Sequence, residues 1–87
     1  MLSEQRRKID QLDQQIVSLV EERMAVVSEV ARIKAVNDVP VLDSQREEAV
    51  LVKIRSYVTD KSYEESIAKL YEEMMAISRA YQKAQSL

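Results

Sequence analysis

Residues 3–36 read SEQRRKIDQLDQQIVSLVEERMAVVSEVARIKAV, a stretch that neither glycine nor proline interrupts. Its apolar residues recur in two heptad rows, Ile9/Ile16/Val30 and Leu12/Leu19/Val26/Ile33, the spacing of one long amphipathic helix. Ser3 is placed to cap its start. Its stop falls at Asn37-Asp38-Val39-Pro40, where a turn-prone pair precedes the single proline and Val39 is biased away from helical dihedrals. At 1.5 Å per residue such a helix is about 50 Å long, whereas a compact globule of this chain length has a radius of gyration near ~12 Å. The helix overhangs its own domain. A continuous apolar stripe on an overhang must be buried against something, and a two-fold copy of the same stripe is the simplest partner. The expected fold class is therefore all-α, an intertwined homodimer.

Working outward, a second helical segment opens at Ser44-Gln45-Arg46-Glu47, a capping-box pattern in which Ser44 caps and Glu47 reaches back. Its stripe is Val50/Leu51/Ile54 followed by Tyr57 or Val58. Thr59-Asp60-Lys61 forms a connector, and Ser62-Tyr63-Glu64-Glu65 repeats the capping box ahead of a third helix with the stripe Ile67/Leu70/Met74/Ile77/Tyr81. Three helices, long, short and long, make one domain over 1–87, since 87 residues at 46% apolar content support one core.

The missing residue types exclude whole classes of chemistry. The chain holds no His, Cys, Gly, Trp or Phe. Thiol nucleophiles, Ser-His-Asp relays, disulfides, ordinary zinc or haem sites and glycine-rich phosphate loops go with them, and no metal or cofactor is expected. Thirteen basic and fifteen acidic residues give a net charge of -2, which opposes nucleic-acid or anionic-membrane binding through a general positive field. With no long apolar run and a polar start, MLSEQRRKID, the expectation is a cytoplasmic protein with no membrane partner.

Several polar residues stand where apolar ones belong. Arg23 is the missing member of the Ile9/Ile16/Val30 row, and Lys34 lies nearly three turns further on the same side, about 16 Å away. Each could snorkel to solvent or pair with Glu22, Glu29 or Glu73. Ser78 and Gln82 stand one turn apart beside the third stripe, although a helical serine often bonds the carbonyl a turn earlier and a glutamine near a C-terminus is often solvated. Arg46 and Glu47 occupy the first turn of the second helix. Together these groups make three cations, a carboxylate, a hydroxyl and an amide on or beside inward faces, a set too costly to bury unless a polar guest satisfies it. A small polyanion fits.

Those residues carry a family resemblance. Arg6 in RRKID, Leu12-Asp13, Arg23 in EERMAVVSEV, Lys34 in RIKA, Pro40, Asp43, Arg46-Glu47 in DSQREE, and Ser78 and Gln82 in ISRAYQ match the all-helical chorismate mutases in type and spacing over essentially the whole chain. The resemblance implies a homodimer with two active sites, each completed by an arginine from the neighbouring subunit, that converts chorismate to prephenate in tyrosine and phenylalanine biosynthesis. Arg6 and Arg23 are seventeen residues, about 25 Å, apart on one helix and cannot share a ligand within one chain. Antiparallel pairing about a centre near residue 18 would bring Arg6 level with about residue 30 of the other copy, between Arg23 and Lys34.

The rearrangement of chorismate is pericyclic and needs no nucleophile, metal or redox cofactor, which suits the available side chains. By resemblance, Arg6 of the neighbour, Arg23, Arg46 and Ser78 bind the substrate carboxylates, Lys34 and Gln82 donate to the ether oxygen, Glu47 accepts from the ring hydroxyl, and Asp43 positions the loop beside it. Two rival readings remain: an isochorismate pyruvate-lyase on the same scaffold, and a non-catalytic helical dimerisation module whose buried cations fix register.

Overall fold

The computed structural model describes residues 1–85, and in it the chain is three α-helices without a strand among the described residues. Helix α1 spans Ser3–Val36, α2 spans Ser44–Tyr57, and a short 3₁₀ turn at Lys61–Tyr63 leads into α3, Glu64–Gln85. The all-helical, long-short-long expectation is met. The molecule measures 54 × 24 × 15 Å with a radius of gyration of 15.8 Å, so α1 does project beyond the packed part.

The helix ends correct three details. Leu2 precedes α1 without a side-chain cap and Ser3 is already helical, so Ser3 does not cap. Helix α1 closes where the sequence indicated: Asn37 Nδ2 donates to Ile33 O at 2.8 Å, Asp38 turns left-handed at φ 55°, and Val39 N returns to Lys34 O at 2.8 Å. At α2 the cap is Asp43, whose Oδ1 accepts from Arg46 N at 3.0 Å, and Ser44 is the first helical residue. An ionised carboxylate at the positive end of a helix is a stronger acceptor than the serine hydroxyl one position on. The same exchange occurs before α3: Asp60 Oδ1 accepts from Ser62 N at 3.0 Å and Ser62 Oγ at 2.6 Å, so Ser62 donates rather than caps. These bonds hold the Asp60 carboxyl below its ordinary pKa.

Helix α3 is the central element and packs against both α1 and α2. Its inward row is Ala68, Tyr71, Met75, Ser78 and Gln82, one position round from the expected stripe; Leu70 and Ile77 of that stripe remain 60% and 62% exposed. Small residues let the helices approach, and the polar pair lies within the packed row. On α1, the face turned to α3 runs through Val20, Met24, Val27 and Ala31, while both heptad rows stay exposed. Val50, Leu51 and Ile54 are half-buried on α2, as is Val58 just beyond its end, and Tyr57 is exposed. At the α2–α3 corner Arg55 binds Glu65 at 2.5 Å and Glu64 at 3.5 Å, while Lys61 Nζ donates to Arg55 O at 2.7 Å. The Arg55 guanidinium holds the Glu65 carboxyl below its ordinary pKa, first through the hydrogen bond and then through its charge.

The sealed interior is small. Ala31, Ala68 and Met75 are the buried apolar residues among those described, and Ser78 and Gln82 are buried with them. No large side chain among the described residues is wholly enclosed.

Candidate active site

Where α1, the start of α2 and the end of α3 converge, they enclose a cleft of about 280 Å³. Arg23 and Lys34 reach it from α1, Asp43, Arg46 and Glu47 from the capped start of α2, and Ser78 and Gln82 from α3. Val26, Val27, Val30, Val41, Val50 and Met75 form its apolar walls. Seven of the eight residues selected from the sequence therefore meet in one place. Arg6 is the exception, exposed on α1 about 25 Å of helix away from Arg23. A wider hollow of about 510 Å³ runs along Asp13, Gln14, Val17, Ser18, Glu21 and Glu22, but α1 alone bounds it and nothing converges there.

The two cations of α1 are each held by a neutral group. Arg23 Nη1 donates to Ser78 Oγ at 3.0 Å, and Ser78 Oγ donates in turn to Met74 O at 2.9 Å, so the serine makes its expected backbone bond and also braces the arginine. Lys34 Nζ donates to Val41 O at 2.8 Å, tying the lysine to the loop between α1 and α2. Neither cation has a carboxylate within ion-pair distance among the described residues, so the alternative of pairing with Glu22, Glu29 or Glu73 does not occur. Both therefore face the cleft without a neutralising partner among the described residues.

Glu47 departs from its expected capping role, because its carboxylate accepts a hydrogen bond from Arg79 Nη1. Arg79 is the residue that sequence reasoning missed; the one available signal was a cation one position from Ser78 in ISRAYQ, and its partner is thirty-two residues away. The cleft thus carries Arg23, Lys34, Arg46 and Arg79 against Asp43 and Glu47, leaving two positive charges on its wall.

Gln82 supplies the other distinctive feature. It is 8% exposed, and its Oε1 is buried with no hydrogen-bond partner among the described residues. An acceptor left in that state costs about 1–3 kcal/mol in a folded chain. Ser28 Oγ and Tyr81 Oη, hydrogen-bonded at 3.0 Å, pin the adjacent turn of α3 to α1.

An all-helical chain whose cleft gathers fixed cations, a hydroxyl, an amide and a carboxylate on valine walls has the makings of an enzyme that binds a small polyanion and acts on it by charge and hydrogen bonding. Comparison with known proteins specifies which. The family model for chorismate mutase type II matches residues 5–83, and the chorismate mutase of Methanocaldococcus jannaschii is 32% identical over 83 residues, covering 94% of this chain and 84% of that protein. No solved structure matches the chain. The chain belongs to the type II chorismate mutases.

Proposed function

We propose that the chain, as a single catalytic domain over 1–87 in the cytoplasm, converts chorismate to prephenate in a homodimer whose sites each borrow Arg6 from the neighbouring subunit. The observation that carries the reading is the convergence of Arg23, Lys34, Asp43, Arg46, Glu47, Ser78 and Gln82 on one cleft with a surplus of two positive charges. A dicarboxylate with two arms that must be folded together meets there a rigid cationic frame, and carboxylate binding offsets the ordering cost. Arg23 with Ser78, Arg46, and Arg6 of the neighbour take the carboxylates. Lys34 and Gln82 donate to the ether oxygen, on which negative charge grows as its bond to carbon breaks, so both interactions strengthen toward the transition state. Glu47 accepts the ring hydroxyl's hydrogen bond, and Asp43 fixes the start of α2 so that Arg46 and Glu47 face the cleft.

Support for pairing of two chains comes from what one chain leaves uncovered. Ile9, Leu12, Ile16 and Leu19 are each more than half exposed along the free part of α1, a continuous apolar row of the sort that associates with its own copy. Arg6 lies on the same free segment.

The test is to supply purified protein with chorismate and, separately, isochorismate. Prephenate from the first is the expected result; salicylate and pyruvate from the second with no turnover of the first would identify a lyase, and inertness toward both would leave a dimerisation module.

A further inference from the structure

We propose that Arg79 is a positioning residue for the reaction, holding the Glu47 carboxylate in place and cancelling its charge toward the incoming dianion. The inference rests on the reading of Glu47 as a substrate contact. Glu47 sits in the first turn of α2 and Arg79 near the end of α3, and both line the cleft. Their side chains are 25% and 29% exposed, so the pair is partly withdrawn from water and is screened less than a surface pair.

The geometry gives Arg79 two consequences for the site. A first-turn glutamate that does not fold back onto its own helix end is free to rotate about its side-chain torsions, and the Arg79 contact from another helix selects one orientation. An uncompensated carboxylate on the wall would also repel a doubly negative guest. With Arg79 the wall carries four cations against two carboxylates; without it the surplus falls from two charges to one. Asp43, the other carboxylate of the cleft, is already engaged by the α2 backbone through Arg46 N, so Glu47 is the one whose charge most needs an external partner.

A purely structural tie between α2 and α3 would make a different prediction, and a double-mutant cycle on the full chain separates the two. Arg79→Met is expected to lower kcat/KM about 10-fold in the native background and less than about 3-fold in a Glu47→Gln background, since the amide needs no charge partner. Arg79→Lys, which keeps the charge, is expected to restore kcat/KM to within about 3-fold of native. Thermal melts by circular dichroism accompany every variant, and Arg79→Gln is read in the same cycle if methionine at this position prevents folding. Equal losses in the two backgrounds, or no loss in the native one, would overturn the proposal while leaving Glu47 in its role. Full kcat/KM in Glu47→Gln alone would instead remove Glu47 as a substrate contact, and the role of Arg79 with it.

Discussion

The two ends of α1 live in different surroundings. From Val20 onward the helix alternates apolar and polar contacts with α3, places Arg23 and Lys34 in the cleft, and ends in a well-bonded turn. Before Val20 every residue is exposed, although this segment carries Ile9, Leu12, Ile16 and Leu19. The sequence is equally periodic in both ends, so periodicity cannot tell which partner a stripe serves. One end is packed against its own chain, and the other leaves an apolar row and an arginine exposed.

The sharpest way to break this comparison is at the packed end. Lys34→Ala is expected to lower kcat by about 10²–10³-fold while far-ultraviolet circular dichroism stays native, as losing one donor from a preorganised site does. Retained turnover would remove Lys34 from the ether contact. At the free end, Arg6→Ala should lower kcat/KM by about 30-fold or more with no change in sedimentation, because the proposed substrate contact from the neighbouring chain is lost and the apolar row is not. Ile16→Asp should do the reverse first, separating the subunits in sedimentation and losing turnover as a consequence. Full activity in the dissociated variant would show that each chain's cleft is complete alone.

A subtler test concerns Gln82, which donates at every pH, whereas a carboxyl in its place donates only when protonated. Native activity should be nearly flat around neutrality, and Gln82→Glu should regain activity toward acid. Equal rates for the variant at about pH 5 and about pH 8 would exclude the amide from the reacting oxygen. The smallest expected effect lies in the turn that ends α1: Asp38→Gly, at φ 55°, should relieve left-handed strain and raise stability by about 0.5 kcal/mol, the loss of strain exceeding the added freedom of the unfolded chain. A lowered melting temperature would contradict it. Acid provides a companion check at Asp60, whose folded pKa is depressed: its contribution is present above the ordinary carboxylate range and lost as pH falls through the folded value, so the melting difference between native and Asp60→Asn should vanish in acid.

Much of the molecule was legible from residues alone. The absence of glycine and proline across 3–36, the Asn37–Pro40 stop and the polar residues set into inward faces were enough for three helices and for six of the seven cleft residues, while Asp43 came with the family resemblance. What was misread has a common physical cause. On α3 the most apolar row is Ile67/Leu70/Met74/Ile77/Tyr81, yet the chain turns Ala68, Met75, Ser78 and Gln82 inward because the small Ala68 and Ser78 permit close helix approach and the polar pair belongs to the cleft. Hydrophobic strength marks what is to be covered, not what covers it. The caps slipped by a residue or two for a local reason: Asp43 and Asp60 are carboxylates and outcompete the serines that follow them. Arg79 was invisible because its meaning comes from Glu47, which folding alone brings near.

The scant enclosure of α1–α3 has a consequence for how the protein holds its shape. The apolar side chains buried among the described residues, Ala31, Ala68 and Met75, are little with which to oppose the disorder of a chain this long. In the homodimer proposed above, shape and association would be a single equilibrium, in which the midpoint of thermal melting climbs as protein is added and dilution by itself loosens the helices.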